Sequence, residues 1–175
     1  MNGFAHDIVL RRQAQERGEM ALAQDVETYL AGVSAPALSA EAVTAWIEQA
    51  RRLAPGIDWM AWGGSGMPLT GRALAAHADS AAQILRTAGW NPDITAGRSL
   101  RDALIYAEHI DTDGLLSIDT RLAVAEIIAL LVRAATGAPY AYYESWDTHP
   151  GRTVDQVLNV LTAVAAFARR YGNPA

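Results

Sequence analysis

The sequence has 175 residues, of which 51% are hydrophobic and 19% are charged, and its formal net charge is −5. This composition is typical of a globular chain that is large enough to build its own hydrophobic core, and it excludes a disordered protein. All 14 basic residues are arginine, and they occur at most in adjacent pairs. Nucleic-acid binding through the phosphate backbone needs clustered basic residues, so it is not expected here.

The compartment is predicted from features that are missing. The sequence contains no cysteine, which excludes disulfides and cysteine-ligated metals. Its first seven residues lack the basic region and apolar core of a signal peptide. The longest apolar run, residues 122–132, is interrupted by Glu126 and is too short to span a membrane. We therefore predict a cytoplasmic protein with no membrane partner, no cofactor and no bound metal.

The N-terminal part has a helical pattern over residues 4–31. Gly18 weakens its middle, which leaves open one long helix or two shorter helices that meet there. Ser39 then caps a helix that extends to residue 54, with Val43, Trp46 and Ile47 on its apolar face. Residues 1–54 either complete the bundle or form a homodimer contact, and a dimer is the commonest oligomer.

An irregular, glycine-rich segment follows over residues 57–71. It contains Trp59, Trp62 and the run Gly63-Gly64-Ser65-Gly66. A glycine-rich loop before a helix can cradle a phosphate, but the Lys-Ser/Thr ending and the preceding strand of a phosphate loop are missing here. The pattern favours a linker in which the two tryptophans are buried anchors.

Two further helices are predicted next. Thr70 begins a helix over residues 70–88, and Ser99 with Asp102 forms a capping box that begins another over residues 99–110. His77 lies at the edge of the apolar stripe of the helix that begins at Thr70. A hydrogen-bonded histidine of the core is favoured over a metal ligand, because no second ligand lies four residues further on.

Residues 109–120 are similar in part to a calcium-binding EF-hand loop. Asp111 and Asp113 stand at the third and fifth positions, and Gly114 at the sixth. The first and twelfth positions are His109 and Thr120, so the carboxylates expected at both ends, including the bidentate glutamate, are missing. We therefore predict an Asp-Gly turn without calcium.

The core of the bundle is predicted at residues 118–136. This helix is apolar nearly all round, which indicates neighbours on most of its sides. The helices that begin at Thr70 and Thr153 are predicted to pack against it, and Thr153 with Gln156 forms a third capping signature. The fold class is all-α: a single-domain bundle of about six helices over residues 1–175.

The densest group of functional residue types precedes the last helix. Tyr140 and Tyr142 alternate with Ala141, which indicates a short extended segment. A Pro-Gly turn then folds the Trp-Asp pair back towards the start of the helix. We predict that five side chains converge there on one partly exposed surface: Tyr143, Trp146, Asp147, His149 and Arg152.

That surface has three alternative roles. Arg152 beside the amides of a helix N-terminus is typical of an anion site for a small anionic ligand. Asp147 and His149 could instead act as an acid–base pair. The third alternative, a structural cap in which Asp147 binds Arg152 or loop amides, is favoured, because such pairs stabilise turns far more often than they catalyse.

The C-terminal part resembles a domain family of unknown function found in actinobacteria and their phages, over roughly residues 72–171. The residues that carry the resemblance are 81–90 (Ala-Ala-Gln-Ile-Leu-Arg-Thr-Ala-Gly-Trp), 100–107, Trp146-Asp147, Pro150-Gly151-Arg152-Thr153 and Val157-Leu158. The family pattern has an asparagine between the tryptophan and aspartate, and often a cysteine before the middle helix; both are missing here. The resemblance implies a fold and a mobile-element setting, but no reaction.

Three classes of function remain. A compact helical domain without catalytic motifs favours an interaction or regulatory protein that binds a protein partner or itself. The second is a small-ligand or nucleotide-binding protein, such as a counter-defence protein, which is indicated by Arg152 and the tyrosines. The third and weakest is a hydrolase-type enzyme that uses Asp147 and His149.

Overall fold

A computed structural model describes residues 38–56 and 58–174, all of which belong to one compact unit. These residues form six α-helices and no β-strand, so the predicted all-α bundle is confirmed. The helices are α1 (Ala40–Leu53), α2 (Gly71–Ala88), α3 (Leu100–Ile110), α4 (Ile118–Thr136), α5 (Tyr143–Asp147) and α6 (Val154–Tyr171). Within the described residues, no helix is long and apolar enough to cross a membrane. The predictions for residues 4–31 lie outside the described residues.

Local capping sets where the helices begin. The Ser39 side chain accepts a hydrogen bond from the amide of Ala42, which satisfies an amide that the helix leaves unpaired. Both predicted capping boxes form, that of Ser99 at α3 and that of Thr153 at α6. A third box at α4, between Ser117 and Thr120, was not predicted. Each cap connects residues three positions apart, so all of these signals could have been read from the sequence, including the one at Ser117 that was missed.

Helix α4 is the centre of the bundle, as predicted, because it packs against each of the other five described helices. Helix α1 is fixed to it by two side chains: Trp46 Nε1 donates to the carbonyl of Leu131 at 2.8 Å, and Gln49 Nε2 donates to the carbonyl of Ala134 at 2.8 Å. The expectation that α4 is covered on most sides holds only in part. The side chain of Leu122 is 51% exposed, and the neighbours leave an open strip on the first half of the helix.

The most extensive contact between two helices joins α2 to α6. It is closest where the start of α2 crosses the end of α6, at Gly71 and Gly172. A side chain on either glycine would collide with the backbone carbonyl of Ala168. The amide of Gly71 also donates to the carbonyl of Asn173 at 2.8 Å. Glycine at both positions is therefore a requirement of this crossing.

The segment before α6 differs from the sequence prediction. Tyr142 does have an extended backbone (φ −103°, ψ 116°), but the chain turns into the five-residue helix α5 directly after it. Helix α5 has no side-chain cap at its start. Its stability comes from tertiary packing, because Tyr143 and Trp146 are buried against the core.

Candidate functional site

The buried carboxylate of Asp147 binds two distant parts of the chain. Its side chain is 1% exposed. Oδ1 accepts a hydrogen bond from the indole nitrogen of Trp90 at 2.8 Å, and Oδ2 accepts one from the amide of Leu100 at 2.8 Å. Burial raises the pKa of Asp147, while the Trp90 and Leu100 bonds and the nearby charge of Arg152 act in the opposite direction. Asp147 thus holds the loop after α2 and the first residue of α3 against α5.

Arg152 is also buried, with 7% of its surface exposed. Nε donates to the carbonyl of Trp146 at 2.9 Å, and Nη1 donates to Oε1 of Gln156 at 3.1 Å. The guanidinium carbon lies 4.0 Å from the centre of the Trp146 ring, which is the geometry of a cation–π contact. Burial lowers the pKa of Arg152 to about 10, opposed by the charge of Asp147, so the side chain is cationic at neutral pH.

Of the five predicted site residues, the structure brings Trp146, Asp147 and Arg152 together. Tyr143 is buried, and burial together with the neighbouring Glu144 carboxylate raises its pKa to about 12. His149 is half-buried in the turn, where its Nδ1 accepts from the amide of Gly151 at 3.2 Å. These contacts are those of a structural cap, in which Asp147 binds an indole and a helix amide rather than Arg152. Both oxygens of Asp147 accept internal hydrogen bonds, which leaves the acid–base and anion-site alternatives without support from this geometry.

The glycine-rich loop does not have the arrangement of a phosphate cradle. The amide and the hydroxyl of Ser65 both donate to the carboxylate of Asp119, in the first turn of α4. Gly63 lies so close to this carboxylate that a side chain there would collide with it. An internal carboxylate therefore stands where the loop would hold a phosphate, and the loop is a connection fixed onto α4.

The predicted Asp-Gly turn is present. The carboxylate of Asp111 accepts from the amide of Leu116 at 2.7 Å and from that of Asp113 at 3.3 Å, and Gly114 has a left-handed backbone (φ 66°). The Leu116 bond lowers the pKa of Asp111, against the effect of desolvation. No cluster of three metal-ligating side chains occurs among residues 38–56 and 58–174.

His77 lies in the core, as its place beside the apolar stripe of α2 predicted. It is fully buried, and its two ring nitrogens lie 2.8 Å from Oγ1 of Thr120 and 2.9 Å from the carbonyl of Leu104. A carbonyl can only accept, so Nε2 carries the proton and Nδ1 is an acceptor in the neutral ring. The single hydroxyl proton of Thr120 is shared between two acceptors, Nδ1 of His77 and the carbonyl of Ser117, which each lie at 2.8 Å. Burial lowers the pKa of His77; the Leu104 bond, Glu108 and Asp111 oppose this shift, whereas Arg121 adds to it.

We expect His77 to make stability fall in mild acid. The ring stays neutral in the folded protein, whereas in the unfolded chain it binds a proton below about pH 6.5. Its stabilising contribution is thus complete above pH 6.5 and declines by up to about 1.4 kcal/mol per pH unit as the pH falls towards the folded pKa. Urea denaturation from pH 7.5 to 5.0 should show a steeper decline for the natural chain than for His77→Gln. Parallel declines would show that His77 is not the responsible group.

An open groove lies on the side of the bundle where α4 is uncovered. It has a volume of about 860 Å³ and is bounded by the glycine-rich loop, the outer face of α4 and residues 140–144. Its side chains include three strongly exposed aromatic residues, Trp62 (62%), Tyr140 (82%) and Tyr142 (76%), besides Leu122. Exposed aromatic surface grouped in a concavity is typical of a binding site rather than of an ordinary protein surface.

The sequence interpretation missed this groove. It assigned Trp59 and Trp62 as buried anchors. The prediction holds only in part for Trp59, which packs on the core and donates from Nε1 to the carbonyl of Gly56 at 3.2 Å, but is half-buried and also lines the groove. It is wrong for Trp62, because a backbone bridge to Pro68 closes a tight hairpin that turns the indole outwards. The sequence did contain one signal for an exposed aromatic surface. Tyr140 and Tyr142 alternate with Ala141, and because Ala141 faces the core, the two tyrosines face outwards.

Comparison with known proteins gives one match. Residues 69–167 match the family described as "Family of unknown function (DUF6197)". The matched range covers α2 to α6 almost completely and thus includes the Asp147–Arg152 cap and most of the groove. No curated protein and no solved structure matches the chain.

Proposed function

We propose that this chain, which belongs to the family of unknown function DUF6197, is a non-enzymatic interaction protein that binds a protein partner in the aromatic groove. The observation that carries the proposal is the exposure of Trp62, Tyr140 and Tyr142 beside an uncovered strip of the central helix. Tryptophan and tyrosine are enriched at interfaces and dominate their binding energy. Together with Leu122 they offer apolar surface that water covers in the unbound protein.

This role is proposed ahead of the two alternatives because the polar residues that would support them are engaged internally. The hydrogen bonds of Arg152 go to Trp146 and Gln156, and those of Asp147 go to Trp90 and Leu100. A small anionic ligand or a hydrolytic reaction would need these groups. The resemblance to a domain of actinobacteria and their phages adds a setting to the proposal: a regulatory protein encoded by a mobile element.

The proposal is tested by selecting a random peptide library on the immobilised full-length chain. We expect selected peptides whose affinity falls by about 30-fold or more in Trp62→Ala and in Tyr142→Ala, the size of loss that defines a dominant interface residue. The matched control is Tyr106→Ala, since Tyr106 is a 56% exposed tyrosine of α3 that lines a different cavity. A selection without binders, or equal losses in the control variant, would refute a role for the groove.

A further inference from the structure

We infer that the groove takes an extended, arginine-containing peptide segment of the partner. The inference rests on the proposed function and specifies the chemistry of the partner. Three features of the groove lead to it: the sign of its charge, the exposed faces of its aromatic rings and the unpaired backbone of one wall.

The charge of the groove is negative. Three carboxylates line it, those of Asp119, Glu126 and Glu144, against the single guanidinium of Arg133. Asp119 is held by Ser65, whereas Glu126 and Glu144 are exposed and can contact a bound molecule directly. A cationic segment would be attracted to this surface, and an anionic segment would be repelled. The net charge of −5 on the whole chain acts in the same direction.

The aromatic side chains favour arginine over lysine as the source of that charge. Trp62, Tyr140 and Tyr142 expose most of their surface in the groove. A planar guanidinium stacks on such rings while it keeps its hydrogen-bond donors for a neighbouring carboxylate, whereas a compact, strongly hydrated ammonium does this less well. The same pairing occurs inside this protein, where the guanidinium of Arg152 lies 4.0 Å from the Trp146 ring centre.

The backbone of the wall favours an extended segment. Tyr140 and Ala141 make no backbone hydrogen bond with any residue in the described part of the chain. Tyr142 is extended, and Ala141 packs inwards while its two tyrosine neighbours point outwards. The carbonyl of Tyr142 already accepts from the amide of Trp146 in α5, so the backbone groups that an added extended segment would pair with are those of Tyr140 and Ala141.

Fluorescence anisotropy with synthetic peptides tests the inference. The probe is a labelled ten-residue peptide of alternating arginine and threonine; matched peptides carry lysine or glutamate in place of arginine. We expect the arginine peptide to bind more tightly than the lysine peptide and the glutamate peptide not to bind. Glu126→Gln and Glu144→Gln should each weaken binding roughly two- to fivefold, the range for exposed ion pairs. Asp155→Asn, which removes an exposed carboxylate on α6 outside the groove, should leave the affinity unchanged.

Backbone pairing is tested with arginine peptides N-methylated on alternate residues. Methylation of the residues whose amides face the wall should abolish binding, and methylation of the other set should not. Equal effects of both sets, equal binding of the glutamate peptide, or insensitivity to Glu126→Gln and Glu144→Gln would overturn the inference. A dimer that dissociates in Tyr142→Ala would also overturn it, since a second copy would then fill the groove.

The two proposals fail in different ways. Library peptides that bind the groove but carry no excess of arginine would leave the proposed function standing and refute the cationic partner. If neither the library nor the synthetic peptides bind, both fail.

Discussion

Arg152→Ala and Asp147→Asn should each lower the free energy of unfolding by about 2–5 kcal/mol, because each leaves buried hydrogen-bonding groups without their partners. Removal of the guanidinium strips the carbonyl of Trp146 and Oε1 of Gln156 of a donor, and it takes away the positive charge near the buried carboxylate of Asp147. An asparagine at position 147 has a single acceptor oxygen for the two donors, Trp90 and Leu100, and its amide group would face one of them.

Urea denaturation with circular dichroism measures both losses. Thr153→Ala provides the scale: its hydroxyl caps α6 in the same turn without a buried charge, so its loss should cost only about 1 kcal/mol. If Arg152→Ala were no more damaging than Thr153→Ala, Arg152 would not be needed for stability. A binding role for this stretch, one of the alternatives left open by the sequence, would then gain support.

The parts of this fold that could be predicted are those encoded by neighbouring residues. The starts of α1, α2, α3 and α6 were predicted because a serine or threonine and its partner amide lie three positions apart. Helix α5 was missed because nothing local begins it. Its five residues are held by contacts with the rest of the bundle, and those contacts have no periodicity to read.

The candidate site shows the same limit. The sequence placed Asp147 and Arg152 in a cap, but the groups that Asp147 binds lie 57 and 47 residues earlier in the chain, at Trp90 and Leu100. Spacing cannot reveal such partners. The groove was hidden for a related reason: periodicity shows which residues of α4 are apolar, but not which of them the neighbouring helices cover. Leu122 and Ile128 both belong to the apolar pattern of α4, yet Leu122 is 51% exposed and Ile128 is fully buried.

The different burial of Leu122 and Ile128 leads to the largest loss of stability that we expect for any substitution discussed. Ile128→Asp should unfold the protein, because an unpaired carboxylate at a fully buried position costs several kcal/mol, a large part of the roughly 5–15 kcal/mol that stabilises a typical domain. Leu122→Asp places the same change on the same helix, at a side chain that is 51% exposed. It should change the free energy of unfolding by no more than about 1 kcal/mol, including the repulsion from Glu126 four residues further on.

Thermal melts of the two variants therefore test the groove as well as the core. A cooperative transition near that of the natural chain for Leu122→Asp, and none for Ile128→Asp, would agree with a central helix that is buried on one side and open on the other. If Leu122→Asp also unfolded the protein, Leu122 would have to be covered in solution. The strip of α4 beside Trp62 and Tyr142 would then be part of the core, with no room for a partner.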